Sequence, residues 1–419
     1  MARASTRRSG QGGSLGARVA QAEMRAANMG LILRHLRSGD GWSRARLASE
    51  TGLSRATVSS VVAELAERGL VREGQLVREG AVGRPGQTVS LDGARVAGIG
   101  LEISVNQAVL TAVTLAGTVI REAVTPLDAA RLDVNAVLDR VAAMAQRSID
   151  SLRGSDVEVV GVTLSPPGII DYSAGSLRFA PNLGWRGVPL AAELAQRLGS
   201  SAPMIHLEND AKLAALAEHQ LRASDGVHDL VHLTGEVGVG AGIIVDGRLL
   251  RGWSGFSGEV GHLPLGSPDV QCACGRRGCW ETAVGIDGFL RLLDEGDQGE
   301  GDRARPLEDW LFEVEERARA GDRRTLAALA ELAATLAPGL SILVDVLNPQ
   351  MIVLGGYYAH FAEQLLPPVR EHIEARRIDA GTAVTITTST LGATASARGG
   401  ALLALEGVFE DPSLVGARA

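Results

Sequence analysis

The sequence predicts an α/β protein in two unequal parts, a winged helix-turn-helix head over residues 21–90 and a larger body over residues 91–419. Three observations carry that prediction. Apolar residues at helical spacing, broken by a glycine turn, fill residues 29–69. Strand and helix runs alternate from Val96 onward. The formal charge changes sign between the two parts. The alternation is too long for one sheet, so the body is expected to form two lobes around a cleft, roughly 91–210 with the C-terminal helix, and 211–393.

Residues 1–20, MARASTRRSGQGGSLGARVA, are rich in Arg, Gly and Ser and lack the apolar core of a secretory signal. A disordered tail on a cytoplasmic protein is expected. In the head, Met29, Ile32, Leu33 and Leu36 mark one apolar helix face. After the break at SGDG, Ser43 is placed to cap a short helix, Thr51-Gly52-Leu53 supplies a turn, and Ser54 is placed to cap the next helix. That helix buries Val58, Val61, Val62 and Leu65 and turns Arg55, Thr57, Ser59 and Ser60 outward near its start. A short helix, a glycine turn and a second helix with polar side chains at its N-terminus form the arrangement that enters a DNA major groove. Arg44 and Arg46 are placed to meet phosphates. Beyond Gly69 an alternating run with Gly-Pro punctuation reads as a β-hairpin wing, and Arg84 in its GRPG tip suits a narrow minor groove.

Charge supports this reading. The whole chain carries −8, yet residues 1–90 hold 14 arginines against 7 acidic residues. A basic head on an acidic body is expected where only the head meets phosphate. Hydrophobic residues make up 45% of the chain but aromatics only 3%, so small and aliphatic side chains must fill the core. No stretch of about 18 apolar residues is seen, and no membrane span is expected.

The body opens with strands at VAGIGLEIS, QAVLTAVTL and GTVIREAVTPL, the last two joined by a turn at Ala116-Gly117. A helix from Asp133 and a buried strand ending in a Pro-Gly loop follow. Then come MIHLEND with a helix behind it, DLVHLTG, a hairpin around Asp246-Gly247, a long helix near 322–346, the strand MIVLGG, VTITTSTLG, and a final helix ASARGGALLALEGVF.

All three cysteines lie in QCACGRRGCWE, Gln271 to Glu281. An odd number in one window makes no secreted disulfide framework, and the C-x-x-C spacing of a redox dithiol is absent. Cys272, Cys274 and Cys279 supply three soft thiolates, and Gly275 and Gly278 let the loop fold back to bring them together. Zn²⁺ favours a tetrahedral set of four, and His262, ten residues upstream, is permitted by spacing as the fourth.

Five stretches converge on one family: ENDAKLAALAE, LTGEVGVGAGIIVDGRLLRG, GEVGH, CACGRRGCWE and NPQMIVLGG. The body resembles the ROK family (repressors, open reading frames and sugar kinases). With the winged head in front, the chain resembles its NagC/XylR-type repressor branch. The resemblance implies a two-lobed, actin-like ATPase fold. It implies His262 as the fourth zinc ligand, and Asn209, Asp210, Glu259, His262 and Glu281 as sugar contacts. In the kinases of the family Asp210 would be the general base. The first phosphate loop of those kinases reads D-x-G-x-T, whereas here Gly100-Leu101-Glu102-Ile103-Ser104 stands in its place and Glu236 enters the second loop. A carboxylate in either loop repels a triphosphate, so the sugar half of the site is expected to be kept and the ATP half lost. The implied protein is no enzyme. It is a sugar-responsive repressor, a homodimer or dimer of dimers, that binds a double-stranded operator and takes a sugar or sugar phosphate as effector. A sugar kinase carrying a DNA module, and a DNA-binding protein whose body only oligomerises, are the other readings.

Overall fold

The computed structural model describes residues 12–37, 41–77, 86–172, 174–293, 307–378 and 383–417. The head comprises α1 (Gly12–Leu36), β1 (Trp42–Ser43), α2 (Arg44–Thr51), α3 (Arg55–Glu67), β2 (Val71–Val77) and β3 (Gly86–Leu91). Both expected caps form: Ser43 accepts from the Arg46 amide and Ser54 from the Thr57 amide. Gly52 closes α2 in the left-handed region, φ +70°. The strands pair in the order β1-β3-β2, the wing of the motif. The wing tip with Arg84 lies outside the described residues. The N-terminal boundary differs from expectation, because α1 starts at Gly12 and residues 12–20 are helical where a tail was expected.

The first lobe holds β4 (Val96–Ile103), β5 (Gln107–Thr114), β6 (Val119–Pro126), α4 (Val134–Gly154), β7 (Glu158–Ser165), the strands β8 (Ile169–Asp171), β9 (Ser176–Ala180) and β10 (Trp185–Val188), α5 (Leu190–Leu198), and β11 (Met204–Leu207). Helix α6 (Asp210–Arg222) leads to the second lobe. That lobe holds β12 (Leu230–Gly235), β13 (Val239–Val245), β14 (Arg248–Leu249), α7 (Glu281–Val284), α8 (Ile286–Leu292), α9 (Leu307–Arg319), α10 (Arg323–Leu347), β15 (Met351–Gly356), α11 (Ala362–Ala375) and β16 (Thr385–Thr388). Helix α12 (Ala395–Glu410) returns to the first lobe.

The two main sheets share one plan. Their orders are β6-β5-β4-β7-β11 and β14-β13-β12-β15-β16, an antiparallel meander of three strands extended by two parallel ones. Central strand β4 is buried along its whole length, so its sequence runs apolar without alternation, whereas edge strand β6 alternates. Helices α6 and α12 pack on each other between the sheets, α12 on β4, β5 and β7, α6 on β12 and β13. Helix α10 is long and apolar enough to span a bilayer by composition, but 56% of its most apolar window is buried in the second lobe.

The sequence did not show how the head is seated. Its core residues Met29, Leu33, Val62 and Leu65 share one apolar cluster with Leu405, Val408 and Phe409 of α12 and with Val415. Arg34 donates to the Phe409 carbonyl at 2.7 Å, and Arg37 pairs with Glu406 at 2.5 Å. The head is docked on the C-terminal end of α12.

Candidate functional site

The cysteine loop forms a knuckle. Gly275 and Gly278 take positive φ, +89° and +71°, and the Cys272 amide donates to the Arg276 carbonyl at 2.8 Å. Upstream, Gly258 (φ +91°) lets the GEVGH turn lie flat on β13, where an added Cβ would meet the Ala241 carbonyl at 1.9 Å. That seating brings His262 to the knuckle. One ligand atom from each of His262, Cys272, Cys274 and Cys279 lies within 4.8 Å of all the others. The Cys274–Cys279 sulfur separation is 3.7 Å and Cys272 Sγ lies 3.8 Å from His262 Nδ1. Tetrahedral Zn²⁺ with sulfur at about 2.3 Å sets sulfur–sulfur edges of about 3.8 Å. Three thiols and an imidazole held below its ordinary pKa by burial make a donor set that suits zinc. Burial, then the facing Glu281 carboxyl, pushes the Cys272 thiol well up, and a cation among the sulfurs would offset that cost.

The same histidine lies between two carboxyls. Its Nδ1 lies on the knuckle side, 3.5 Å from Glu281, while Nε2 lies 3.8 Å from Glu259. At the start of α6, Asn209 caps the helix by accepting from the Lys212 amide at 3.2 Å. Its amide nitrogen donates to Asp210 at 2.8 Å and to the Gly168 carbonyl at 3.2 Å. Asp210 accepts from the Ala211 amide at 2.8 Å, and burial raises its pKa to about 6. Glu259 is raised by burial, an effect that the Lys212 charge opposes, and it feels Asp210 and Glu281 as negative neighbours. Asn209, Asp210, Glu259, His262 and Glu281 therefore form one polar wall from the start of α6 to the knuckle. Such a wall offers the paired acceptors and donors that a polyhydroxylated ligand needs.

Beside it, the first phosphate-loop region is filled. A Cβ at Gly100 would lie 1.7 Å from the Ala397 carbonyl of α12, so no aspartate fits there. Glu102 is 5% exposed and takes bonds from Ser396 and the Ala397 amide at the start of α12, while its Oε2 has no partner. Burial, then Glu236 and Asp210, push its carboxyl well above the usual range. Glu236 stands at the solvent-open edge of this group. Desolvation, then Asp210, raises its pKa to about 7, a push that its exposure weakens.

In the head, Arg55 and Ser59 are exposed on the outer face of α3, and Thr57 hydrogen-bonds Ser54 at 2.8 Å. Ser60 faces α1, with Arg25 at 3.5 Å. Arg44 pairs with Glu73 of the wing, and Arg46 stacks over Trp42 at 4.0 Å.

Two parts of the site were missed in the sequence. Glu208, 1% exposed, accepts from Tyr172, from Arg251 at 2.8 Å and from the Asn209 amide at 2.9 Å. Lys212, the chain's one lysine, is buried beside it and donates to Tyr172 at 3.3 Å and to the Gly255 carbonyl. The signal was a lysine one helical turn beyond a glutamate. Asn182 sits beside Gly238, opposite Glu281; the PNLGW run had marked only its loop.

Comparison with known proteins bears on this geometry. Residues 27–74 match the IclR helix-turn-helix domain. A xylose repressor from Caldicellulosiruptor bescii is 29% identical over 84% of this chain and 88% of its own length. A glucokinase from Halalkalibacterium halodurans is 33% identical over 53% of this chain and 68% of its own. The crystal structure of a ROK family transcriptional regulator, a homologue of the E. coli MLC protein, superimposes with a TM-score of 0.74. It covers 93% of this chain and 97% of that one at 21% identity, a likeness of fold. The ROK family description matches residues 98–407, most of the chain, and the protein belongs to the ROK family.

Proposed function

We propose that the protein is a sugar-responsive transcriptional repressor of carbohydrate genes that works in the cytoplasm as a homodimer and binds its effector without phosphorylating it. One observation carries this reading: an intact polar wall stands beside a phosphate loop that α12 and Glu102 have filled. A relative matched over 88% of its own length is named a xylose repressor.

Each residue group has a task. Asn209, Asp210, Glu259 and Glu281 bond sugar hydroxyls, and His262 Nε2 adds one contact from a ring whose other nitrogen faces the knuckle. His262, Cys272, Cys274 and Cys279 would hold Zn²⁺, which in a closed four-ligand site supplies rigidity rather than catalysis. Arg55, Thr57 and Ser59 reach base edges, Ser60 lies at the α1 side of the same helix, and Arg44 and Arg46 meet phosphates. Arg84 enters the minor groove from the wing tip. A dimer sets two heads on two-fold related half-sites. The sugar acts through its differing affinity for two lobe arrangements.

Fluorescence anisotropy on DNA recovered by genomic footprinting tests this. A sugar from a pentose and hexose panel should weaken operator binding by the zinc-loaded chain. A coupled assay showing ATP-dependent sugar phosphorylation that disappears in Asp210→Asn would favour a kinase instead, the activity named for the glucokinase relative.

A further inference from the structure

We infer that the effector is a neutral, unphosphorylated sugar, and that the cleft is built to reject the corresponding sugar phosphate. The inference rests on the sugar-receptor reading above and narrows it to one ligand class. It follows from the partners of the charged groups near the wall.

A phosphoryl group carries nearly two negative charges at neutral pH, and inside a cleft it needs cations or aligned amides to replace its water. Three cations approach the wall among the described residues, and each is turned to an internal partner. Lys212 Nζ is spent on the Gly255 carbonyl and the Tyr172 hydroxyl, with Glu208 as its first negative neighbour. Arg251 bonds Glu208 at 2.8 Å. Arg276 points its Nε at Cys274 Sγ, 3.5 Å away. Each of the three therefore has an internal partner.

The amides are committed as well. The start of α12 lies beside Glu102, and helix N-termini draw anions. Here the chain supplies its own carboxyl: Glu102 accepts from the Ala397 amide and from Ser396, whose hydroxyl also meets Ser165 at 2.7 Å. The first-turn amides of α6 bond Asn209 and Asp210 themselves. A phosphate extending toward α12 therefore meets Asp210 and Glu236, and finds the Glu102 carboxyl already seated at the start of that helix. One extending toward the knuckle meets Glu259 and Glu281. The unpartnered Oε2 of Glu102, on a side chain 95% removed from solvent, faces this group without a cation. A sugar hydroxyl suits the same surroundings, since it donates to a carboxylate and brings no charge.

The test is calorimetry on the zinc-loaded full chain at pH 7.5, using neutral pentoses and hexoses and the terminal phosphate of each. The expected result is that one neutral sugar binds tighter than its phosphate by about tenfold or more. Glu236→Gln should narrow that ratio by improving phosphate affinity, and because Glu236 is exposed the variant keeps the core intact. A phosphate that binds as tightly as its parent sugar, or tighter, overturns the inference and leaves the sugar-receptor reading standing. Binding of neither class overturns both.

Discussion

Replacing Gly100 by alanine tests the claim that the nucleotide side is closed by packing. The new Cβ would lie 1.7 Å from the Ala397 carbonyl oxygen and 2.7 Å from both its carbon and the Ala401 amide nitrogen. Ordinary contact begins at 3.4 Å, so α12 would have to retreat by the difference, about 1.7 Å. All three atoms are backbone, and no rotamer change relieves the clash. Retreat would open the neighbouring seats, where Gly98 lies under Ala401 and Gly400 over Gly100, and would pull the Ala397 amide from Glu102. Overpacking of a core costs about 1–3 kcal/mol, and a rigid seat falls at the upper end. At 2–4 °C per kcal/mol, a loss of about 3 kcal/mol lowers Tm by roughly 6–12 °C. Differential scanning calorimetry reads this directly. The double change Gly100→Asp, Glu102→Gly, which restores the Asp and Gly of the kinase pattern, should be destabilised further and show no phosphorylation. A Gly100→Ala Tm within about 2 °C of the parent would mean that α12 is not seated on β4 and that the phosphate loop is not closed by packing.

Further outcomes follow from the same geometry. Elemental analysis should find one zinc per chain, and Cys279→Ser should lose both the metal and sugar-induced thermal stabilisation. Glu102 has a folded pKa raised above its ordinary 4.5, so the folded state binds the proton more tightly and loses relative stability as pH rises above 4.5. The advantage of Glu102→Gln over the parent in urea midpoint should accordingly be larger at pH 8 than at pH 5. Asp210, raised to about 6, accepts sugar hydroxyls best when ionised, so sugar affinity should fall as pH drops through 6. Arg55→Ala should weaken operator binding and lower the salt slope by about one, as anisotropy titrations at several salt concentrations would show.

Local features were legible in the sequence because they depend on residues a few positions apart. The caps at Ser43 and Ser54, the turn at Gly52, the buried face of α3 and the knuckle around Gly275 and Gly278 all formed as their spacing indicated. The strand–helix alternation gave the main sheets but missed the small β8–β10 sheet and α5, which lie in a short, irregular stretch between longer runs. What the sequence hid is long-range. Gly30 meets the Phe409 carbonyl, and Gly100 meets Ala397, across gaps that no periodicity spans. The Glu208, Tyr172, Lys212 and Arg251 network draws on separate segments, so no run of residues announces it. From the sequence Glu102 stands only as a charge opposed to nucleotide; its bonds to the start of α12 depend on a helix almost 300 residues away.

Helix α12 begins beside Glu102, next to the ligand wall, and ends beneath the head. Its 16 residues span about 24 Å. Any tilt of this beam is magnified at its far end: about 5° becomes about 2 Å of travel, enough to spoil the register of a docked recognition helix against base edges. Because glycines seat the beam directly on neighbouring backbone, little slack exists to absorb such a tilt before it reaches the DNA.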